Sequence, residues 1–305
     1  MSFALPTVDQ MIYRVMRLRR LIAVSAAIPM LFLLAVYFAA PDFMSPAQTS
    51  LAILGVAAAV LLHAVLFPNV TLETVAVAVA GTALALMLPV LEVISRWAPA
   101  DQQSGAFLLL VMFGIALAGL VVVVTQIGLG AFFYGGPVVR RVMQYRQALP
   151  CSARVAYQQL ALRPETRRGR VLTGACDENG FFDVAVAVGG TDLAPDCVKV
   201  DAKVLGSDPA RHDVMLLTRA GAVTVTSIGF TQTETGCIVD VRDMPGDFTI
   251  GMYLLFWLTD QQADNLTEMT DALFGHAARA NGLAHTGSLV AAAGMILSPR
   301  APMID

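Results

Sequence analysis

Residues 105–133, GAFLLLVMFGIALAGLVVVVTQIGLGAFF, contain no charged side chain. A run of ~18 or more apolar residues reads as a membrane-crossing helix, since about 20 residues at ~1.5 Å rise cross a hydrocarbon core of ~30 Å. Working outward, three more such runs precede it, at about 21–38, 50–67 and 70–94. Between Arg20 and Arg140 the only acidic, basic or histidine residues are Asp42, His63, Glu73, Glu92, Arg96 and Asp101. Beyond Gly169 the apolar runs stop. The predicted fold class is therefore a membrane α-helical domain of four transmembrane helices followed by a cytoplasmic α+β domain. Residues 1–139 form the helical part, 140–168 a basic juxtamembrane collar, and 169–305 the α+β domain.

Charge sets the expected topology. Arg14, Arg17, Arg19 and Arg20 precede the first run, and Arg140, Arg141 and Arg146 follow the fourth. By the positive-inside rule both ends face the cytoplasm, which an even number of spans requires. The expected location is a cytoplasmic (inner) membrane crossed several times, with the first run a retained anchor rather than a cleaved leader. Lysine occurs only at Lys199 and Lys203 while arginine and alanine abound, a bias that suggests a bacterial source.

Within the helical part, Pro68 and Asn69 alone separate the second and third runs, which predicts a tight hairpin. His63 and Glu73 then lie at similar depth, about 6–8 Å from the turn. Ionisable groups at such depth are costly and find partners, so the two are expected to pair. That pair is either a functional intramembrane site or a tie between two helices. Small residues four apart (Gly55/Ala59, Ala76/Ala80, Gly114/Ala118) allow close helix approach.

The collar, 140–170, holds eight arginines and one acid, Glu165; from Val171 onward there are 7 Lys/Arg against 17 Asp/Glu. Arg140, Arg141 and Arg146 are expected at the surface of anionic lipid. The collar itself reads as one or two short amphipathic helices, broken at Pro150 and stopped near Pro164. A nucleic-acid partner is disfavoured, because the acidic module beyond the collar repels phosphate.

Past Arg170 the apolar period becomes two: Phe182, Val184, Val186 and Val188, then Val198, Val200, Ala202 and Val204, then Val239 and Val241. Segments 214–218 and 223–230 add two strands, the second with a slip in alternation near Ser227, and Thr233–Gly236 closes a hairpin. Five or six antiparallel strands are predicted. Asp247 then caps a helix of about 30 residues, ~45 Å long. Asp260, Asp264, Glu268 and Asp271 form its solvated stripe. Leu283–Leu297 is an apolar segment too short for a fifth span.

An antiparallel sheet around one long C-terminal helix resembles the START-related helix-grip (SRPBCC) superfamily. The resemblance is carried by Val198–Phe274, especially the hairpin 222–243, the turn Pro245-Gly246-Asp247-Phe248 and the helix through Leu254-Leu255-Phe256-Trp257-Leu258. It covers about a quarter of the chain and has no residue signature. It implies an apolar or amphipathic ligand between sheet and helix, with Phe182, Val200, Val225, Met252 and Phe256 as cavity candidates. The superfamily begins with a strand and two short helices; here that region is the collar and Ala153–Leu162.

No nucleotide-binding, serine-hydrolase or zinc-protease motif occurs. Cys151, Cys176, Cys197 and Cys237 are scattered without metal-ligand spacing, so neither metal nor cofactor is assigned. Arg211-His212-Asp213 reads as a surface strand edge, and no residue is named catalytic. Three functions stand at this point: a lipid-proximal domain binding an apolar or amphipathic molecule; a scaffold or assembly factor that recruits protein partners or a second copy; and a membrane enzyme acting on lipid headgroups.

Overall fold

The computed structural model describes residues 5–97, 103–190, 195–218, 220–276, 279–280 and 288. It divides into two compact units, the first chiefly the chain up to Phe132 and the second beginning at Phe133. Leu283–Leu297, apart from Ser288, lies outside the described residues.

The first unit opens with α1 (Val8–Arg17), where Thr7 and Gln10 exchange side-chain and backbone hydrogen bonds in a capping box. α2 (Arg19–Ala39), α3 (Pro46–Leu66), α4 (Thr71–Trp97) and α5 (Gln103–Tyr134) follow. Four stretches are long and apolar enough to cross a membrane: Arg19–Ala39, Pro46–Leu66, Thr71–Val90 and Leu108–Tyr134. Ser45 and Gln48 make a second capping box with Pro46 at the first helical position, where its missing N–H costs nothing. Leu33 of α2 meets Ala52 of α3 and Ala85 of α4 in one cluster, and Val56 and Val60 meet Ala78 in another. α5 lies along α4, with Ala118, Val121 and Val122 on Ala76 and Ala80. A Cβ on Gly55, by contrast, has nothing within 4 Å.

The second unit contains β1 (Met143–Leu149), α6 (Ala153–Leu160), β2 (Arg167–Arg168), β3 (Val171–Thr173), β4 (Phe181–Gly190), β5 (Pro195–Asp208), β6 (Arg211–Leu217), β7 (Val223–Thr233), β8 (Gly236–Met244), α7 (Ile250–Thr259) and α8 (Gln261–Phe274). The strands form one antiparallel sheet in the order β1-β8-β7-β6-β5-β4-β3-β2. The arrangement is helix-grip-like, with α6 between the first two strands and helices after the last.

Among the described residues the sheet has eight strands: six lie past Arg170, as expected for that region, and β1 and β2 come from the collar. Three expectations are corrected. The collar does not begin as a helix: β1 is an edge strand on β8, from Met143↔Asp243 to Leu149↔Cys237, and only α6 is helical. Its alternation of Tyr145 and Gln147 with Arg146 and Ala148 was masked by the arginines. The C-terminal helix is two helices, because Asp260 adopts a left-handed conformation (φ 44°, ψ 42°) that ends α7 and starts α8. Thr249, not Asp247, caps α7.

Pairing register identifies the inner face. One row runs Val204↔Val214↔Thr226↔Asp243↔Met143, and another runs His212↔Ile228↔Val241↔Tyr145. Two apolar clusters fill this side. Leu149, Ala156, Leu160, Phe230, Val239 and Leu266 join β1, α6, β7, β8 and α8. Phe182, Val184, Ala202 and Val214 form the other, on β4–β6.

Candidate functional site

α8 turns a polar side into the second unit. Asp264, Thr267, Thr270 and Asp271 are buried, and Asp264 is fully so. The expectation of a solvated acidic stripe is therefore overturned for Asp264 and Asp271. The break at Asp260 resets the helical phase, and Met269 is 39% exposed. Thr267 and Thr270 spend their hydroxyls on Ala263 O and Thr267 O, at 2.8 and 2.9 Å. Arg279 clamps Asp271 through Nη2 at 2.6 Å and its backbone N–H at 3.0 Å. Burial alone would raise the Asp271 pKa, but these bonds to Arg279 hold it below the usual carboxylate value.

The sheet contributes a matching group. Asp243 accepts from Thr226 Oγ1 at 2.7 Å and from Gln262 Nε2 at 3.0 Å. Gln262, Leu266 and Phe274 share one side of α8, and the latter two join the β1–β7–β8 cluster. Asp264, Glu268 and Asp271 share another. Glu268 pairs with Arg170 beside β3, so this second side looks toward the β3–β6 part of the sheet. An apolar sheet face thus opposes a polar helix face.

The front wall is built by α6 and by two arginines of the basic collar, Arg163 and Arg168. Arg168 donates to Gln158 O, Gln159 O and Ala161 O, the carbonyls left open at the C-terminus of α6. Arg163 stands over the Tyr157 ring at 4.8 Å. His212 is buried, correcting the surface reading, because register turns it inward with Val214. Its Nε2–H donates to Leu162 O at 2.9 Å; Nδ1 lies 2.8 Å from Ser207 Oγ, which in turn lies 2.8 Å from Tyr157 Oη. This chain fixes one neutral tautomer and ties α6, the loop after it and the β5–β6 hairpin together.

Burial is the main cause lowering the His212 pKa below 6.5; Arg163 and Arg168 add to it, while the bond to Leu162 and Asp213 oppose. The folded state therefore binds fewer protons than the unfolded state below about pH 6.5, and the stability held at higher pH is lost as pH falls through the depressed pKa. Thermal unfolding of the full chain is expected to weaken between about pH 7.5 and 5.5. His212→Leu should flatten that window while lowering stability at the upper end. An unchanged pH slope in the variant would remove His212 as its source.

The cysteines are less scattered than the sequence suggests. Burial, then the neighbouring Cys151 thiol, pushes the Cys237 pKa up to about 11. Both join the β1–β8–α6 cluster as apolar groups.

Of the cavity candidates, Phe182 and Val200 lie on the inner face, with Phe182 buried and Val200 packed against its cluster. Val225 does not. It pairs with Met215, which pairs with Lys203, the row whose far end is Phe181 on the outer face. β7 runs through Ser227 without a bulge, so its inner positions are Thr224, Thr226, Ile228 and Phe230. Met252 and Phe256 are half-buried on α7, and Phe256 stacks edge-on against Phe248 at 4.7 Å. Asp243, Gln262 and Asp264 went unrecognised. The inward threonines of β7 were the available signal, since regular pairing makes Asp243 their neighbour.

In the first unit, the α3–α4 hairpin brings His63 and Glu73 together: Nε2 is 3.2 Å from Glu73 Oε1, and Nδ1 is 3.0 Å from Thr74 Oγ1, all buried. Arg14 donates to Val65 O at 2.6 Å and Arg17 to Asn69 Oδ1 at 3.2 Å. These arginines serve the hairpin end and not only topology. Arg140 and Arg141 are exposed, and Arg146 pairs with Asp240 at 3.2 Å on the outer side of β1.

No protein-family model matches the chain, and no curated protein is significantly similar to it. Solved structures resemble part of it. A structural-genomics protein from Mesorhizobium loti is 12% identical, with 44% of this chain and 97% of that one covered at a TM-score of 0.32. One from Bordetella parapertussis is 13% identical, covering 48% and 83% at 0.34. Norcoclaurine synthase from Thalictrum is 13% identical, covering 45% and 93% at 0.31. At such scores the fold rests on its own strand order and register.

Proposed function

We propose that this chain is a multi-pass membrane protein whose grip domain binds an amphipathic molecule. The apolar body lies along the β4–β6 face at Val184, Val200, Ala202 and Val214, and a hydrogen-bond-donating or cationic head turns toward Asp264 and Asp243. One observation carries this reading: the helix that covers an apolar sheet buries two carboxylates and two threonines beside its one buried leucine, Leu266. A core that only needed filling gains nothing from carboxylates, which cost more to bury than leucines. A ligand site uses a few such groups within an apolar lining to fix orientation. Four apolar helices on the same chain suit a ligand drawn from the bilayer.

The test is equilibrium binding to the full chain in lipid nanodiscs. The probes are a long-chain alkylamine with a fluorophore at its tail and the fatty acid of equal length. The amine is expected to saturate at one per chain, and Asp264→Asn to weaken it roughly tenfold or more, the worth of a bond to a charged group. No saturation by either probe, with a clean mass for the chain released from the nanodisc, would sink the proposal.

A further inference from the structure

We propose that α7 is a membrane-interface helix: its outer side, Ile250, Leu254 and Trp257, is immersed at the headgroup–acyl boundary of the leaflet where α5 ends. The helix IGMYLLFWLT is apolar all round. Gly251, Leu255 and Leu258 (i, i+4, i+7) are buried within the domain. Ile250, Leu254 and Trp257, at the same spacing on the other side, are 63%, 41% and 54% exposed. A helix at a protein–water surface carries polar residues on its outer side; one apolar on both sides requires a second apolar medium.

Three observations name bilayer lipid as that medium. First, α7 is fastened to the end of α5. Thr249 Oγ1 donates to Phe133 O and also caps α7 by accepting from Met252 N–H at 3.1 Å. Gly251 lies so close to Phe133 that a Cβ would stand 2.5 Å from its Cα. The strip between them is held as well: Val138 bridges to Thr249, and the Tyr253 hydroxyl donates to Arg141 O and accepts from Arg141 N–H, both at 2.9 Å. The first turn of α7 is therefore fixed at the residue where the apolar stretch Leu108–Tyr134 ends.

Second, charge is complementary. Arg140 and Arg141, exposed beside this attachment, suit anionic headgroups. Third, the stripe ends in Trp257, the residue type that favours the boundary layer, with an apolar ring and a polar N–H. A lipid-facing α7 immediately before the Asp260 break also places the start of α8, with Gln262 and Asp264, close to the leaflet. That gives the proposed ligand a short path from bilayer to site.

This inference rests on reading α5 as a membrane span, and the experiment separates the two. The chain has two tryptophans, Trp97 and Trp257. The full-length Trp97→Phe variant, with Trp257 its only tryptophan, is reconstituted into phosphatidylcholine–phosphatidylglycerol vesicles. The lipids are brominated either near the headgroup end of the chain or at its middle. A parallel variant carries Trp97→Phe, Trp257→Phe and Leu31→Trp, the last at an exposed position on α2. Trp257 emission is expected to fall about twofold with the shallow quencher and less with the deep one, as for an interfacial helix. Leu254→Glu, an exposed substitution, should reduce that quenching. Quenching of the tryptophan at position 31 with none at Trp257 overturns the inference and leaves the span reading standing. Quenching at neither position overturns both.

Discussion

Replacing Glu73 by leucine is expected to destabilise the helical unit by about 1–3 kcal/mol, the usual cost of leaving a buried hydrogen-bonding group without its partner. Glu73 is 1% exposed and lies 3.2 Å from His63 Nε2. The imidazole is held on its other side by Thr74, and it cannot swing to water without leaving the α3–α4 contact. Glu73→Leu therefore strands a buried ring nitrogen, and the loss appears as a lower midpoint when the full chain in detergent is unfolded with increasing SDS. Glu73→Gln keeps an oxygen for Nε2 and should lose less. His63→Leu combined with Glu73→Leu removes both polar groups and should recover part of the loss, since replacing both hydrogen-bond partners by apolar groups can be nearly neutral. A double variant no better than Glu73→Leu alone would shift the cost to the other contacts of Glu73. Wild-type stability in the single variant would mean the pair holds nothing.

That pair was legible in the sequence because the hairpin had one reading. Pro68-Asn69 leaves no room for a longer loop, and residues equidistant from such a turn meet. The four apolar helices were legible for a similar reason: length and composition alone decide them. Where two patterns overlapped, the sequence misled. In β1, period-two alternation is present, but Arg140, Arg141 and Arg146 drew it into a basic collar, and Gln147 occupies an inward position. In β7, the assumption that inward means valine put Val225 inside. The pairing of Ile228 with Val241 and Phe230 with Val239 instead fixes Thr224 and Thr226 there.

Asp260 is the costliest such ambiguity. An aspartate rather than a glycine takes the left-handed conformation, so nothing in the apolar period announces a break. Yet the break rotates α8 and buries Asp264 and Asp271. The proposed site is invisible until that rotation is known. The same break lets α7 and α8 present different faces: α7 exposes Ile250, Leu254 and Trp257, while α8 buries Asp264 and Asp271. A single straight helix would carry one face along its whole length.

Gly236→Val should detach the front wall of the grip, with a loss of about 3 kcal/mol or more once overpacking and the opened core are combined. Gly236 was read as the residue closing a hairpin, yet it is not among the glycines with positive φ. Its need for glycine is spatial. A Cβ there would stand 2.1 Å from Leu149 O and 3.2 Å from Pro150 Cα, backbone atoms that move only if β1 moves. β1 ends at Leu149, buried in the cluster that also holds Ala156 and Leu160 of α6. Gln232 fastens this corner from the other side, accepting from Ala153 N–H at 2.8 Å and donating to Gly236 O at 2.8 Å. Displacing the end of β1 therefore carries α6 outward, and with it Tyr157 and its link through Ser207 to His212. Two readouts should change together: the urea midpoint of the full chain falls, and protease cuts appear near Pro150–Ser152. Gly128→Val is the control, because a Cβ there meets nothing within 4 Å. If Gly236→Val binds the alkylamine probe as wild type does despite losing α6, that wall is no part of the site, and the ligand must be held by sheet and α8 alone.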